Sequence, residues 1–503
     1  MILRSNAFVF LSGRIVALVV LMAFQILVVR MLPAGAYGGY ALVIALATLM
    51  QTVVSFGIPR LIPKYASQAG WSLSHATVRR LLLALIAFRL GASALAMAAA
   101  LAATVAAGLT AMPAPALLAA GAGYILVSLV QVDADAMAQS LRLQAVSRSA
   151  LVWEASTRLA IVAALAVSGR GHDAAAVLAV SLLTTAGSAL LLLRAVFAAL
   201  AAPDPAVAPV ALDRREFRRL ALAGYASAMA WFASSPAVVR LIASRLLPVP
   251  AFAGYSFAQG LVLSFQRYTP GMLVFPFIEP AIMQHHARTA DRARLEAGLS
   301  IVTKVDMVTI GAAVTGTIVA GRALVETMTG GRYGAFADAL PWLLVYIATS
   351  SIYRAFEIVA VAVGASHVLS RTLPISLGWL LIMLALTPRL GMTVLLAAPV
   401  ADSLSRLGVL ALALARHGVS RVVDGRAALS VIASIAAWGT LGTAAVRATA
   451  AGPAMTIAIG TIAGLGYTAG IALIRPLRKA EAAIVLKERD DRIARIVRAY
   501  ARI

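Results

Sequence analysis

The chain has 503 residues, 61% of them hydrophobic and only 13% charged, about half the charged share of an average soluble protein, so water cannot be its only solvent. Lys and Arg total 43 against 20 Asp and Glu, a net charge of +23. In so apolar a chain this excess reads as positive-inside topology and not as a nucleic-acid footprint. The absence of cysteine excludes disulfides, thiolate metal sites and Cys nucleophiles. The six histidines form no ligand pair at helical spacing, since adjacent His285 and His286 point different ways, and no cofactor or metal is expected. No G-x-x-x-x-G-K-[ST] phosphate loop occurs, so any work must come from a gradient, a partner or substrate supply.

Apolar runs of about the 20 residues that cross a bilayer as a helix fall at 8–29, 37–59, 81–107, 114–138, 150–168, 174–199, 220–244, 251–284, 299–320, 338–363, 373–388, 392–414, 428–446 and 453–474. They predict an all-α polytopic membrane protein with about fourteen transmembrane helices. With the N-terminus in the cytoplasm, the inner loops and residues 475–503 hold most of the basic side chains, which orients both termini inward.

A cleaved signal ending at Ala34-Gly35-Ala36 is one reading of the first run, but an internal repeat argues against it. The stretch Arg30-Met31-Leu32-Pro33-Ala34-Gly35-Ala36-Tyr37-Gly38-Gly39-Tyr40 recurs at constant offset as Arg245-Leu246-Leu247-Pro248-Val249-Pro250-Ala251-Phe252-Ala253-Gly254-Tyr255. An even number of predicted helices separates the copies, so the halves are expected to be parallel repeats about an axis along the membrane normal.

The expected organisation is an N-lobe over 1–203, a C-lobe over 220–415, and between them a cytoplasmic elbow at 204–219, which holds Asp213-Arg214-Arg215-Glu216-Phe217-Arg218-Arg219. A terminal helix pair at 427–474 and a basic tail at 475–503 follow. Ile493, Ile496, Val497, Tyr500 and Ile503 share one helical face of the tail, read as an amphipathic helix on anionic lipid or, alternatively, a solvated tail.

The first copy of the turn, with Ser55-Phe56-Gly57-Ile58-Pro59-Arg60 and Lys64-Tyr65, resembles the opening of the Wzx-type polysaccharide or oligosaccharide flippases. These belong to the multidrug/oligosaccharidyl-lipid/polysaccharide (MOP) exporter superfamily. The resemblance covers residues 6–68, and Pro33 departs from it, because many relatives place Gly there. It implies two six-helix lobes around a central cavity, a terminal helix pair and alternating access.

The implied cargo is a polyprenyl-pyrophosphate-linked oligosaccharide moved to the outer leaflet of a bacterial inner membrane for O-antigen, capsule or exopolysaccharide synthesis. The implied company is membrane lipid and, in the same pathway, a polymerase and a chain-length regulator. In such folds the first, second, seventh and eighth helices line the cavity. Here those helices carry Arg14, Arg60, Arg240 and Arg267, with Arg89 on the third.

A charge inside a membrane is costly unless it meets an opposite charge, backbone carbonyls, water or a ligand, so such residues are functional candidates. Guanidinium forks suit pyrophosphate oxygens better than a Lys point charge does. Arg14 and Arg240 lie deepest, where head-group contact competes with structural pairing. For Arg60, Arg89 and Arg267, nearer span ends, snorkelling is the alternative. Asp133 and Asp135 have no base within four positions. They are candidates for cation coupling or, for one of them, for pairing with Arg14 or Arg89, and Glu279 beside Pro276 and Pro280 is the further coupling candidate. Glu154 with Arg158, Arg354 with Glu357, and Asp402 with Arg406 stand three or four residues apart and are expected to neutralise each other.

Three other functions remain open. A lipid II flippase is chemically close. A cation-coupled drug exporter of the same superfamily typically needs an acidic residue on the first helix, which this chain lacks. A polysaccharide polymerase or ligase usually presents a sizeable outer loop bearing Arg and His, and none is expected here.

Overall fold

The computed structural model describes residues 2–66, 69, 73–106, 115–141, 143–169, 172–201, 213–232, 235–273, 292–363, 365, 367–419 and 424–474. The chain is an all-α polytopic membrane protein, and eleven helical stretches among the described residues are long and apolar enough to cross a bilayer. The first helices are α1 (Ile2–Met31), α2 (Ala34–Val53), α3 (Ile58–Ala66), α4 (His75–Ala106), α5 (Pro115–Ser140), α6 (Gln144–Val167) and α7 (Ala174–Ala199). Next come α8 (Arg214–Phe232), α9 (Pro236–Leu246), α10 (Val249–Gln266), α11 (Arg292–Thr329), α12 (Ala339–Ala362) and the short α13 (His367–Ser370). The last four are α14 (Leu373–Leu390), α15 (Met392–Ala415), α16 (Gly425–Thr449) and α17 (Pro453–Ile474). Exposed Leu95, Leu183, Leu412, Leu441 and Leu473 stud their outer surfaces, where lipid rather than water is the solvent.

Three predicted runs are broken, each for a local reason. The run 37–59 stops at Val53, and the chain turns through Phe56 (φ 42°) and Gly57 (φ 76°) before α3 begins. The run 220–244 divides at Pro236, whose ring has no N–H to give; Ser235 caps the new helix by accepting from the Val238 N–H at 3.3 Å. The run 251–284 leaves helix after Gln266, and its remainder beyond residue 273 lies outside the described residues, as does the basic tail.

The internal repeat is visible in the backbone. α1 ends at Met31 and α2 starts at Ala34, while at the same offset α9 ends at Leu246 and α10 starts at Val249. The Leu32 N–H donates to the Val28 carbonyl at 3.0 Å and the Tyr37 N–H to the Pro33 carbonyl at 2.9 Å; Leu247 to Ala243 and Phe252 to Pro248 repeat both bonds at 2.9 Å. Pro33 sits at the start of α2 with φ −57° and ψ 155°, a conformation its ring favours, so proline leaves the turn unstrained.

The chain divides into two compact units, Met1–Ala253 and Gly254–Ile503. In the first, α5 packs along α7, α1 on α6, α2 on α9, and α3 on α5 and α8. Its core gathers Ile58, Leu61, Ile62, Leu82, Met137, Leu192 and Val196. In the second unit α11 is packed by α12, α16 and α17. Small residues let α17 approach on two sides: a Cβ on Gly460 would stand 2.5 Å from the Ala320 Cβ, and one on Gly466 2.4 Å from the Trp438 ring of α16. Close backbone approach of this kind holds helices together where lipid removes the hydrophobic incentive.

Candidate functional site

In the first unit, α5 is the polar axis. Its Ser128, Gln131, Asp133 and Asp135 engage three neighbouring helices. Asp133 pairs with Arg89 of α4, both buried, and the same guanidinium donates to the Gln51 carbonyl of α2 at 2.8 Å. Gln51 Nε2 in turn donates to Ser128 Oγ at 3.2 Å. Asp135 points elsewhere, as the spacing of two residues on a helix requires, and accepts from Gln139 Nε2 at 2.7 Å and from Ser147 Oγ.

Gln131 leads to a second cluster, donating to Glu154 at 3.4 Å. Glu154 pairs with Arg158 one turn along α6, and Arg158 also donates to Thr184 Oγ1 at 3.2 Å and Thr185 Oγ1 at 2.8 Å on α7. A buried ion pair is tolerable only when its remaining lone pairs and protons are satisfied, and these threonines do that. The Phe24 ring of α1 lies 5.7 Å from the Arg158 guanidinium carbon. Half-buried Tyr40 of α2 hydrogen-bonds Ser181 and lies within electrostatic range of Tyr124, Arg158 and Arg240. Arg240 is 6% exposed on α9, among Ala237, Val238, Val239, Ile242 and Ala243.

Five helices of the first unit thus bring two guanidiniums, two phenols, hydroxyls and one carboxylate into one neighbourhood. Such a set can grip an anion in forks while phenols and hydroxyls address sugar or phosphate oxygens.

In the second unit, Asp402 and Arg406 of α15 pair at 3.0 Å with their side chains essentially inaccessible, and the guanidinium lies 4.7 Å from the Tyr353 ring centroid of α12. Arg354 and Glu357 pair at 3.0 Å. All three intrahelical pairs expected from spacing therefore form. Lys304 of α11 meets Asp424, at the start of α16, at 3.4 Å. Asp306, two residues further on, accepts from the Gly271 N–H and from Ser351 Oγ.

Of the eight residues singled out in the sequence, Arg89 and Asp133 meet each other. This is the pairing with Arg89 that the sequence left as one alternative for Asp133 and Asp135, made across a separation of 44 residues by a helix-to-helix contact. Arg240 joins the Tyr40–Arg158 cluster, Asp135 is held by neutral donors, and Arg267 is exposed just past the end of α10. Arg14 lies on α1 and Arg60 on α3, their side chains outside the described residues, as is the whole of Glu279. Sequence reasoning missed Tyr40, Tyr124 and Asp306. For Tyr40 the signal was present, since it closes the repeated turn, whereas Asp306 had only a buried helical position to mark it.

The fold is similar to those of two solved transporters. A lipid II flippase, MurJ, in an inward closed conformation superposes with a TM-score of 0.57 at 12% identity, over 93% of this chain and 98% of that one. A MOP superfamily transporter from Pyrococcus furiosus, described as having a binding pocket of reversed polarity, gives 0.53 at 14% identity over 83% and 95%. No protein-family model matches the chain, and no curated protein matches it in sequence.

Proposed function

We propose that the chain is a flippase that carries polyprenyl-pyrophosphate-linked oligosaccharides across a bacterial inner membrane by alternating access, with both termini in the cytoplasm. The observation that carries this reading is Arg240, 6% exposed on α9 and, like Arg158 and Tyr124, within electrostatic range of Tyr40. Several cationic and phenolic groups close together at that depth suit an anionic head group that has left water. The pyrophosphate is held by Arg240 with Arg14 as a second contact, the sugars meet the tyrosines, and the prenyl tail stays in lipid. Release follows when the lobes rock and the grip weakens. Similarity of fold to a protein named as a lipid II flippase supports a lipid-linked cargo and keeps lipid II as the second reading. A drug exporter is less favoured, because α1 holds no acidic residue.

The test is reconstitution in liposomes with lipid-linked oligosaccharides extracted from the native host. Arg240→Ala is expected to slow translocation roughly tenfold to a hundredfold, the size of one lost charge-assisted hydrogen-bond set, with Arg240→Lys between it and wild type. A normally inserted Arg240→Ala protein with wild-type flux would remove this residue from the head-group site. Accumulation of single repeat units in the outer leaflet of a deletion strain would instead favour a polymerase.

A further inference from the structure

We propose that Asp306 is a proton-binding site of the second unit, loaded and emptied during transport; the coupling to transport rests on the flippase reading, the protonation does not.

Asp306 is 1% exposed. Four other buried carboxylates inside helices, Asp133, Glu154, Glu357 and Asp402, each have an arginine within ion-pair distance, while half-buried Asp135 is met by neutral donors. Asp306 has no cation at that distance among the described residues, and only Gly271 and Ser351 engage it there. The charged groups on the elements around it are placed otherwise. On α11 itself, Lys304 points away to Asp424 and Arg322 pairs with Glu326, while Arg292 and Glu296 lie nearer the helix start. On α12, Arg354 pairs with Glu357, and Tyr346 and Tyr353 lie beside the Asp402–Arg406 pair. On α17, Tyr467 donates to the Met307 carbonyl at 3.4 Å. Arg426 and Arg447 sit at opposite ends of α16, and Arg267 beside the Gly271 segment is exposed.

A carboxylate held in that setting without a countercharge is costly, and a proton removes the cost. The donors suit both states. With Asp306 ionised, the Gly271 N–H and the Ser351 hydroxyl each donate to one oxygen. With a proton on Oδ2, the acid donates to Ser351 Oγ, whose own hydrogen rotates away, while Gly271 still donates to Oδ1. The proton comes from water and returns to it, and no other bond is made or broken.

Both oxygens already face donors, and no group of three or more metal-binding side chains occurs among the described residues, which favours a proton over a metal ion. The site also has a built mechanical output. A Cβ on Gly271 would fall 2.1 Å from Oδ2, so the backbone just after the break at 267–269 lies directly on the carboxyl. Protonation turns its charge-assisted bond into an ordinary one, roughly halving its strength, and loosens this segment from α11.

Infrared difference spectroscopy of the full chain in lipid nanodiscs after an acid step, paired with flux measured across pH, tests the assignment. Wild type is expected to gain a protonated-carboxyl stretch that Asp306→Asn lacks and Ser351→Ala shifts. Asn keeps the acceptor for Gly271 and a donor for Ser351, so the variant should fold; the Ser351→Ala shift reads the site independently if it does not. Flux should vary by up to about tenfold per pH unit in wild type and lose that dependence in Asp306→Asn. A carboxyl signal unchanged in Asp306→Asn, or one that follows Na⁺ instead of pH, overturns the proposal. A titrating Asp306 in a protein that moves no lipid-linked cargo upholds the proton site and strikes down the flippase reading alone.

Discussion

Arg89→Ala is expected to destabilise the first unit by about 3–5 kcal/mol, the range found when one partner of a buried ion pair is removed. The loss does not come from the pair's own attraction, which desolvation largely offsets, but from the Asp133 carboxylate left uncompensated at 2% exposure. The Gln51 carbonyl would lose its donor as well. Removing both charges together, as Arg89→Met with Asp133→Leu, should therefore restore most of the stability, to within about 1 kcal/mol of wild type. Thermal unfolding of the four proteins of this cycle in nanodiscs measures the coupling. A single mutant as stable as wild type would show that water or lipid head groups already solvate the pair.

That pair also marks where sequence reading reaches its limit. Spacing along one helix is written in the chain, so Glu154 with Arg158 and Asp402 with Arg406 were predictable and form. Pairing of Asp133 or Asp135 with Arg14 or Arg89 could be posed from the sequence, but which carboxylate meets which arginine depends on how α4 lies against α5, and nothing local encodes that. The apolar runs gave the helices because a bilayer demands length and composition above all. They hid the breaks at 54–57 and before Pro236, because turn residues between two apolar segments keep the hydropathy high. The repeated turn was legible as a sequence match, and its two copies make the same backbone hydrogen bonds, since Pro33 and Pro248 fix the backbone through ring geometry.

The functional neighbourhood was half legible for the same reason. Arg240 stood out as a charge in an apolar stretch, and Asp306 should have stood out equally. It lies inside the apolar run 299–320 with Lys304 two positions earlier, and the two side chains leave opposite faces of α11, one toward Asp424 and the other toward Ser351. Tyr40 and Tyr124 carry no charge and so gave no cost signal. Only the electrostatic reach of Arg158 on α6 and Arg240 on α9 to Tyr40 draws notice to them.

Gly57→Ala should be the most damaging small substitution in the first unit, while Gly35→Ala, in the same family-like stretch, should be nearly silent. Gly57 has φ +76°, and a Cβ there would stand 2.2 Å from the Ala221 carbonyl oxygen of α8; backbone cannot rotate aside as a side chain can. The left-handed conformation costs an L-residue about 1–2 kcal/mol and the overpacking about 1–3 more, so a loss of about 2–5 kcal/mol is expected. Gly57 cannot ease the first by rotating into the ordinary region, because Phe56 before it is already left-handed and held by stacking on Tyr225 at 5.4 Å and against Phe88 at 5.2 Å. At Gly35 a Cβ meets nothing within 4 Å, and within α2 the change from Gly to Ala gains up to about 1 kcal/mol of helix propensity. Unfolding temperatures of the two variants, measured side by side in nanodiscs, separate these expectations. Equal effects at both positions would mean that the turn between α2 and α3 adapts, and that α3 is not anchored to α8 through Gly57.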